Sequence, residues 1–257
     1  MKEKIQEALA ALEKTHGCRI LFAVESGSRA WGFASPDSDY DVRAVYVKPL
    51  DWYLGLGEKP SDTFSAMLPD DIDVSAWELR KALRQMLKSN ASFMEWLGSP
   101  IVYRDSGLLA QLNELKDRAF NPVSAAFHYA SMLRHALDDR SPDGAIGVKK
   151  LCYALRAGLC VRWTIEHEAM PPTAFADVRR GVALSSEAVA AIDRLLARKA
   201  SACEKDRIVP DTALAPLVED RFDMLGRHSW RRPENDIPAA RAELEAMFRD
   251  IVLRSIV

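Results

Sequence analysis

The sequence predicts an α+β fold, in which a small mixed sheet with flanking helices is followed by an all-α helical bundle. Two short apolar runs, residues 19–24 and 42–47, are rich in β-branched and aromatic residues and are bounded by turn residues, so we expect strands there. Beyond about residue 105, apolar residues recur with helical spacing and no segment has a clear strand pattern. We therefore expect two domains, residues 1–104 and residues 105–257.

The first domain is expected to open with a helix over residues 2–15 that Gly17 ends. The strand at 19–24 follows, then a Gly-Ser turn with a short helix, an acidic loop and the strand at 42–47. The remaining elements expected in this domain are a helical turn near 51–56, strands at 63–67, 72–76 and 101–103, and helices at 78–88 and 92–97.

The second domain is expected to contain helices alone. Asn121 followed by Pro122 is a typical helix start, and Pro171 with Pro172 ends the longest of these helices. The predicted helices are residues 105–119, 122–138, 145–168, 186–203, 212–226 and 237–254.

Composition excludes some classes of protein. The net charge of −2 argues against a broad basic face for nucleic acid, although a small polynucleotide site remains compatible with it. The four cysteines, Cys18, Cys152, Cys160 and Cys203, lack paired metal spacing, so we expect reduced thiols. There is neither an apolar signal core near the start nor an apolar run long enough to span a bilayer, which predicts a cytoplasmic protein without membrane partners.

The stretch from Glu25 to Arg43 carries the chemistry. Asp39 and Asp41 are two residues apart at the start of a strand, so both carboxylates are expected on one face, where they repel each other unless a cation lies between them. Mg²⁺ prefers such oxygen ligands. The turn at Gly27 and Ser28, between a strand and a short helix, presents backbone N–H groups suited to phosphate. Taken alone, Asp-Ser-Asp is also a common turn sequence.

Here the chain resembles the polymerase-β-type nucleotidyltransferase superfamily. The order is a strand, Gly-Ser, ten residues and then Asp-x-Asp, and the longer wording is Gly27-Ser-Arg-Ala-Trp-Gly-Phe-Ala-Ser-Pro-Asp-Ser-Asp-Tyr-Asp-Val-Arg43. That wording is similar to a branch of predicted nucleotidyltransferases associated with RNA ligases. Trp77-Glu-Leu-Arg-Lys81, residues 90–96 and Ser99-Pro-Ile-Val-Tyr103 are also similar to that branch. The resemblance is strong over residues 18–103 and loose elsewhere.

The resemblance implies a catalytic centre with two Mg²⁺ ions and a nucleoside triphosphate, for which ATP is the first choice. Asp39 and Asp41 would be both catalytic residues and metal ligands. A third carboxylate is required near the attacking hydroxyl. Asp73, flanked by Ile72 and Val74 in a predicted strand, is our choice. Glu78 is the rival, although an acidic residue at a helix start also complements the helix dipole.

Several residues are expected to contact the phosphates. Gly27 and Ser28 would cradle them, and Arg29 would neutralise their charge. Arg43 shares a face with the aspartates, so it is either a phosphate contact or a counter-charge for those carboxylates. Lys81 resembles the family's Arg-Lys pair, although a solvated position is equally compatible with the sequence. Lys149 and Arg156 are at helical spacing in the second domain, where helices of this superfamily often close over the nucleotide; a surface stripe is the alternative for them.

The resulting interpretation is an enzyme that transfers a nucleoside monophosphate to an acceptor hydroxyl and releases pyrophosphate. An RNA end is the acceptor suggested by the family's association with RNA ligases. The weak basic balance keeps a protein acceptor open, as in antitoxin-type nucleotidyltransferases that AMPylate a partner. A non-catalytic nucleotide-binding module is the alternative from another functional class. The oligomeric state and the base preference do not follow from the sequence.

Overall fold

The chain forms two compact units. The computed structural model describes residues 1–57, 61–201, 206–219, 222–231 and 237–255. The sheet unit comprises Met1–Ala30, Asp39–Phe120 and Glu234–Val257, and the helical unit comprises Trp31–Ser38 and Asn121–Pro233. The expected division at residue 104 stays a prediction about domains. Cys203 and part of two predicted helices lie outside the described residues.

The sheet unit begins with a helix and a strand and continues with alternating short elements. Its elements in chain order are α1 (Lys2–His16), β1 (Arg19–Glu25), α2 (Gly27–Trp31), β2 (Tyr40–Val47), α3 (Leu50–Leu54), β3 (Thr63–Leu68), β4 (Ile72–Glu78), α4 (Leu79–Leu87), α5 (Ala91–Leu97), β5 (Val102–Asp105) and α6 (Leu108–Ala119). A helix near the C-terminus, Ile237–Leu253, also belongs to this unit. These strands and helices match the predicted ones to within a few residues.

The five strands form one mixed sheet in the order β3-β4-β2-β1-β5. β1 runs antiparallel to β2, whereas β2 runs parallel to β4. Consequently the last residue of β1 and the first residues of β2 and β4 meet at one end of the sheet. This mixed sheet flanked by helices confirms the predicted α+β class.

The core of the sheet unit lies between α1 and one face of the sheet. Ile5, Leu9 and Leu12 of α1 are spaced to share one face of the helix, and all three are buried. They pack with alternate residues of the central strands, including Val42 and Val74. Because side chains alternate along a strand, residues next to these in sequence belong to the opposite face of the sheet.

The helical unit is built around two long helices that pack against each other. Its elements are α7 (Pro122–Leu137), β6 (Ile146–Gly147), α8 (Val148–His167), α9 (Phe175–Arg180), α10 (Ser186–Ser201), β7 (Arg207–Ile208), a 3-10 helix (Thr212–Leu217) and α11 (Phe222–Arg227); the Ile237–Leu253 helix of the sheet unit is α12. Asn121 caps α7 by accepting the Ser124 N–H, as its Asn-Pro sequence predicts.

Two features of the helical part differ from the prediction. β6 and β7 pair antiparallel, although we expected no strand after residue 105. Each has only two residues, too few to show an alternating pattern in the sequence. The single helix expected at 212–226 is instead a 3-10 helix followed by α11, with Pro216 inside the first of these.

Within the described ranges, Cys18, Cys152 and Cys160 are not joined by disulfide bonds. Burial raises the pKa of the Cys152 thiol to about 12. Among the described residues, no helix has the length and apolar character needed to cross a bilayer.

Candidate active site

Two of the predicted acidic residues lie side by side at one end of the sheet. Asp41 in β2 is directly opposite Asp73 in β4, because the two parallel strands are in register there. Their neighbours Val42 and Val74 face the core under α1, so the two carboxylates belong to the other face. Asp73 therefore lies where its strand position predicted, beside Asp41.

Arg43 connects the two carboxylates. Its Nη2 atom donates to Asp41 Oδ1 at 2.7 Å and to Asp73 Oδ2 at 2.8 Å, and its Nη1 atom donates to the Asp73 backbone carbonyl at 2.9 Å. All three side chains are largely shielded from solvent. This geometry agrees with the alternative in which Arg43 is a counter-charge for the carboxylates. It also shows that the two carboxylates are close enough to share one cation.

The Gly-Ser turn lies directly against Asp41. Gly27 has a φ of +58°, and a Cβ at this position would lie only 2.0 Å from Asp41 Oδ2. The Ser26 N–H donates to the Asp41 carbonyl at 2.8 Å, which ties the turn to the start of β2. Ser28, the second residue of α2, is buried. Any other residue at position 27 would strain the backbone and would displace the Asp41 carboxylate.

Asp39 and Arg29 form the outer part of this end of the sheet. β2 begins at Tyr40, so Asp39 lies immediately before the strand and not within it. Arg29 Nε donates to the Asp39 carbonyl at 3.0 Å, and its guanidinium carbon lies 3.8 Å from the centre of the Tyr40 ring. Arg29 thus fixes the backbone that precedes Asp41, besides carrying positive charge next to the turn.

Glu25, to which the sequence assigned no role, is the buried support of the site. It is fully buried at the end of β1, where its Oε1 atom accepts the Asp41 N–H at 2.7 Å and its Oε2 atom accepts the Tyr103 hydroxyl. Burial raises the pKa of the Glu25 carboxyl. Burial and the hydrogen bond to Glu25 raise the pKa of Tyr103. The available signal was an acidic residue that closes an apolar strand immediately before the turn.

Glu78 and Lys81 lie towards the other end of β4. Glu78 pairs with Tyr46 in the register, five residues beyond Asp73. Its carboxylate accepts the Arg80 N–H at 2.9 Å and the Tyr53 hydroxyl at 2.5 Å, so it caps α4. Lys81 Nζ pairs with Asp62 at 3.0 Å. The structure therefore does not bring these two residues to the acid pair of Asp41 and Asp73.

Lys149 and Arg156 both belong to α8 of the helical unit. Lys149 is half-buried in the first turn. Arg156 is buried, donates from Nη2 to the Thr173 carbonyl at 3.1 Å, and places its guanidinium carbon 4.4 Å from the centre of the Trp31 ring. The surface stripe considered for Arg156 is therefore wrong. This side chain is an interior cation that borders a cavity of about 250 Å³ together with Tyr153.

The donor set at the acid end has the chemistry that Mg²⁺ requires. Asp41 and Asp73 are paired carboxylates, and hard divalent ions take oxygen ligands of this kind. Among the residues that the structure describes, however, no group of three or more His, Cys, Asp or Glu side chains is arranged to hold a metal ion. Asp41 and Asp73 thus have the donor chemistry of Mg²⁺ ligands, and the role of Asp39, Asp41 and Asp73 as metal ligands stays a proposal.

Comparison with known proteins connects this geometry to a family. A family model described as the RNA repair pathway DNA polymerase beta family (RlaP) matches residues 1–250. The chain is 37% identical over 252 residues to the uncharacterized protein YcgL of Bacillus subtilis (strain 168), covering 98% of this chain and 92% of that protein. The resemblance inferred from the Gly-Ser and Asp-x-Asp motifs is thus confirmed, and it extends over nearly the whole chain.

A solved structure is similar at the level of a distant likeness. It is the nucleotidyltransferase-like protein from Exiguobacterium sibiricum 255-15, which is 13% identical, has a TM-score of 0.35, and is matched over 89% of this chain and 78% of that chain.

Proposed function

Because the chain belongs to the RNA repair pathway DNA polymerase beta family, we propose that it is a Mg²⁺-dependent nucleotidyltransferase. In this proposal it transfers a nucleoside monophosphate from a nucleoside triphosphate, ATP first, to an acceptor hydroxyl. The proposed acceptor is an RNA end, in keeping with the family's description. The proposed compartment is the cytoplasm.

The observation that carries this proposal is the acid pair of Asp41 and Asp73 next to the Gly27 turn. Asp41 links the two features. Its Oδ1 atom accepts a hydrogen bond from Arg43, which also binds Asp73, and its Oδ2 atom lies against Gly27. A site that holds a metal-bound triphosphate needs oxygen ligands for the cation within a few ångströms of N–H donors for the phosphates. These residues supply both kinds of group in one place.

Each residue then has a role in the reaction. Asp41, Asp73 and Asp39 would hold the divalent ions, which when bound neutralise charge on the triphosphate and on the leaving pyrophosphate. Gly27, Ser28 and Arg29 would bind the phosphates, and Asp73 would lie nearest the attacking hydroxyl. Arg43 keeps Asp41 and Asp73 together and in one orientation, so that the alignment of the reactants does not depend on side-chain rearrangement.

The test is a transfer assay with an α-³²P-labelled nucleoside triphosphate and Mg²⁺. The acceptor is a short RNA in one arm and a cell lysate of protein in the other, and the matched control is the Asp41→Asn variant. Label on the RNA that requires Asp41 supports the proposal. Label on protein alone would instead favour the AMPylating alternative, with which the net charge of −2 is compatible because a protein acceptor needs no broad basic face. Nucleotide binding without transfer in either arm would favour a non-catalytic module and contradict the proposal.

A further inference from the structure

The loop between α2 and β2 belongs to the helical unit. This segment, Trp31–Ser38, is called the signature loop because it lies between the Gly-Ser and the Asp-x-Asp parts of the motif. Trp31 makes an edge contact with Tyr153 of α8, with ring centres 5.0 Å apart. Phe33 makes an edge contact with Phe175 of α9 at 5.5 Å. The signature loop therefore has its own packing partners in helices that lie more than a hundred residues later in the chain.

Lys199 of α10 makes the polar contact with this loop. Its Nζ atom donates to the Ser35 hydroxyl at 3.4 Å and lies 5.8 Å from the centre of the Phe33 ring. The residue is only 4% exposed. Within the ranges of the chain that the structure describes, Ser35 is the hydrogen-bond partner of this amine, and no carboxylate lies at ion-pair distance from it.

Stability alone does not account for a lysine at this position. Burying an ammonium group is unfavourable unless strong partners compensate, and a single long hydrogen bond with a distant ring compensates weakly. Burial lowers the pKa of Lys199, and the nearby charge of Lys149 adds to that effect, although Cys152 and Asp37 oppose it. An apolar side chain of similar length would fill the same space at a lower cost.

Lys199 contacts Ser35, which is the first residue of the turn formed by residues 35–38, directly before Asp39. The Ser35 N–H donates to the Ser38 hydroxyl at 2.9 Å, and the Ser38 N–H donates to the Ser35 carbonyl at 3.0 Å. Ser38 is followed directly by Asp39. Ser35 thus stabilises the turn that directly precedes Asp39.

We infer that Lys199 is a positioning residue, which holds the signature loop through Ser35 and thereby orders the Ser35–Ser38 turn that directly precedes Asp39. The inference rests on the proposed function for its catalytic consequence, but the loop contact itself can be tested without any reaction.

The experiment compares Lys199→Met, Ser35→Ala and the double variant with the wild type. Arg198→Met is the matched control, because Arg198 is the neighbouring residue on the same helix and is exposed. Hydrogen exchange of the peptide covering residues 32–40 is measured in the protein without nucleotide, together with the melting temperature. In the transfer assay, kcat and the KM for the nucleotide are measured separately.

We expect exchange in residues 32–40 to be at least about fivefold faster in Lys199→Met and in Ser35→Ala. Exchange in the double variant should be slower than the product of the two single effects, because both substitutions remove the contact between Lys199 and Ser35. Ser35→Ala also removes the hydrogen bond between the Ser35 and Ser38 hydroxyls at 3.0 Å, and Lys199→Met also removes the contact with the Phe33 ring. The melting temperature of Lys199→Met should not fall. kcat should fall several-fold, with a smaller change in KM, because a less ordered turn before Asp39 makes the aligned arrangement of the reactants less populated. Arg198→Met should match the wild type.

Unchanged exchange in the signature loop of Lys199→Met would overturn the inference. So would additive effects in the double variant, or faster exchange throughout the helical unit with a lower melting temperature, since either result means that Lys199 serves general packing. If the wild type transfers no nucleotide at all, the proposed function fails, whereas the exchange data still decide the loop contact.

Discussion

The sheet unit and the helical unit bury charges of opposite sign. Among the described residues, the buried charged side chains of the sheet unit are Glu25, Glu78 and Glu95, all acidic. Those of the helical unit are Arg156 and Lys199, both basic. The ways in which the charges are stabilised also differ. Glu25 and Glu78 accept backbone N–H groups, whereas Arg156 and Lys199 contact neutral oxygens and aromatic rings.

This difference indicates a division of tasks. In the sheet unit, Glu25 and Glu78 hold the neighbouring backbone in place: Glu25 accepts the Asp41 N–H, and Glu78 accepts the Arg80 N–H at the start of α4. In the helical unit, Arg156 and Lys199 donate to oxygens of Thr173 and Ser35, so they support the loops that carry these two residues.

The largest effect should come from neutralising the acid pair. We expect Asp73→Asn to lower the transfer rate on the order of a thousandfold, because the metal's stabilisation of transition-state charge is worth several kcal/mol and each 1.36 kcal/mol is a factor of ten. The control is Asp71→Asn. Asp71 is exposed and lies two residues earlier, and asparagine also tolerates its left-handed backbone conformation. Equal activity of both variants would remove Asp73 from the site.

A smaller but still large effect should come from the Gly-Ser turn. Gly27→Ala places a methyl group on Asp41 Oδ2, so the carboxylate must move, and we expect a loss of about a hundredfold in activity. Gly17→Ala is the matched control, since Gly17 has a similar φ of +53° with nothing within 4 Å of the added Cβ. If the two variants lose activity equally, backbone strain and not the contact with Asp41 explains the effect.

The support beneath the acid pair should respond to pH. Tyr103→Phe removes a donor to the buried Glu25 carboxylate and should cost about 1–3 kcal/mol of unfolding free energy. Burial raises the folded pKa of Glu25, and the Tyr103 hydrogen bond opposes that rise by stabilising the charged form. The cost should therefore be greatest above the raised pKa of Glu25 and should shrink as the pH falls through it and the carboxyl becomes neutral. Denaturant unfolding at several pH values measures this, and a cost independent of pH would contradict it.

The smallest effect should come from Glu78. Glu78→Gln weakens the cap of α4, so we expect a loss of about 1 kcal/mol in stability and little change in the transfer rate. Chemical unfolding and the transfer assay measure the two quantities on the same preparation. A loss of activity in Glu78→Gln with full activity in Asp73→Asn would make Glu78 the third carboxylate.

Most of the sheet unit could be predicted from its sequence because its signals are local. The apolar run of β1, the alternation in β4 and the helix stop at Gly17 each depend on a few neighbouring residues. The pairing of β6 with β7 could not be predicted, because two strands of two residues have no periodicity and lie about sixty residues apart in the chain. The sequence also could not predict that Trp31 and Phe33 belong to the helical unit, because their partners Tyr153 and Phe175 are distant in sequence.

The site divides in the same way. Asp73 was expected on a strand that projects it towards Asp39 and Asp41, and the register places it directly opposite Asp41. The parallel pairing of β2 with β4, which produces this arrangement, was not part of the prediction. Glu25 and Lys199 were missed, because the role of a buried charge depends on the partner that folding brings to it. Lys81 was expected either to contact a phosphate or to be solvated; it pairs with Asp62, and the phosphate contact stays a prediction.

The central claim is that the aspartates beside the Gly27 turn bind a metal-complexed nucleoside triphosphate. Calorimetric titration with a non-hydrolysable ATP analogue tests this most directly, in buffers with and without Mg²⁺, on the wild type and on the Asp39→Asn, Asp41→Asn double variant. We predict binding by the wild type that requires Mg²⁺ and is abolished in the double variant. Binding of equal affinity in both proteins, with a melting temperature that shows the variant to be folded, would contradict the account.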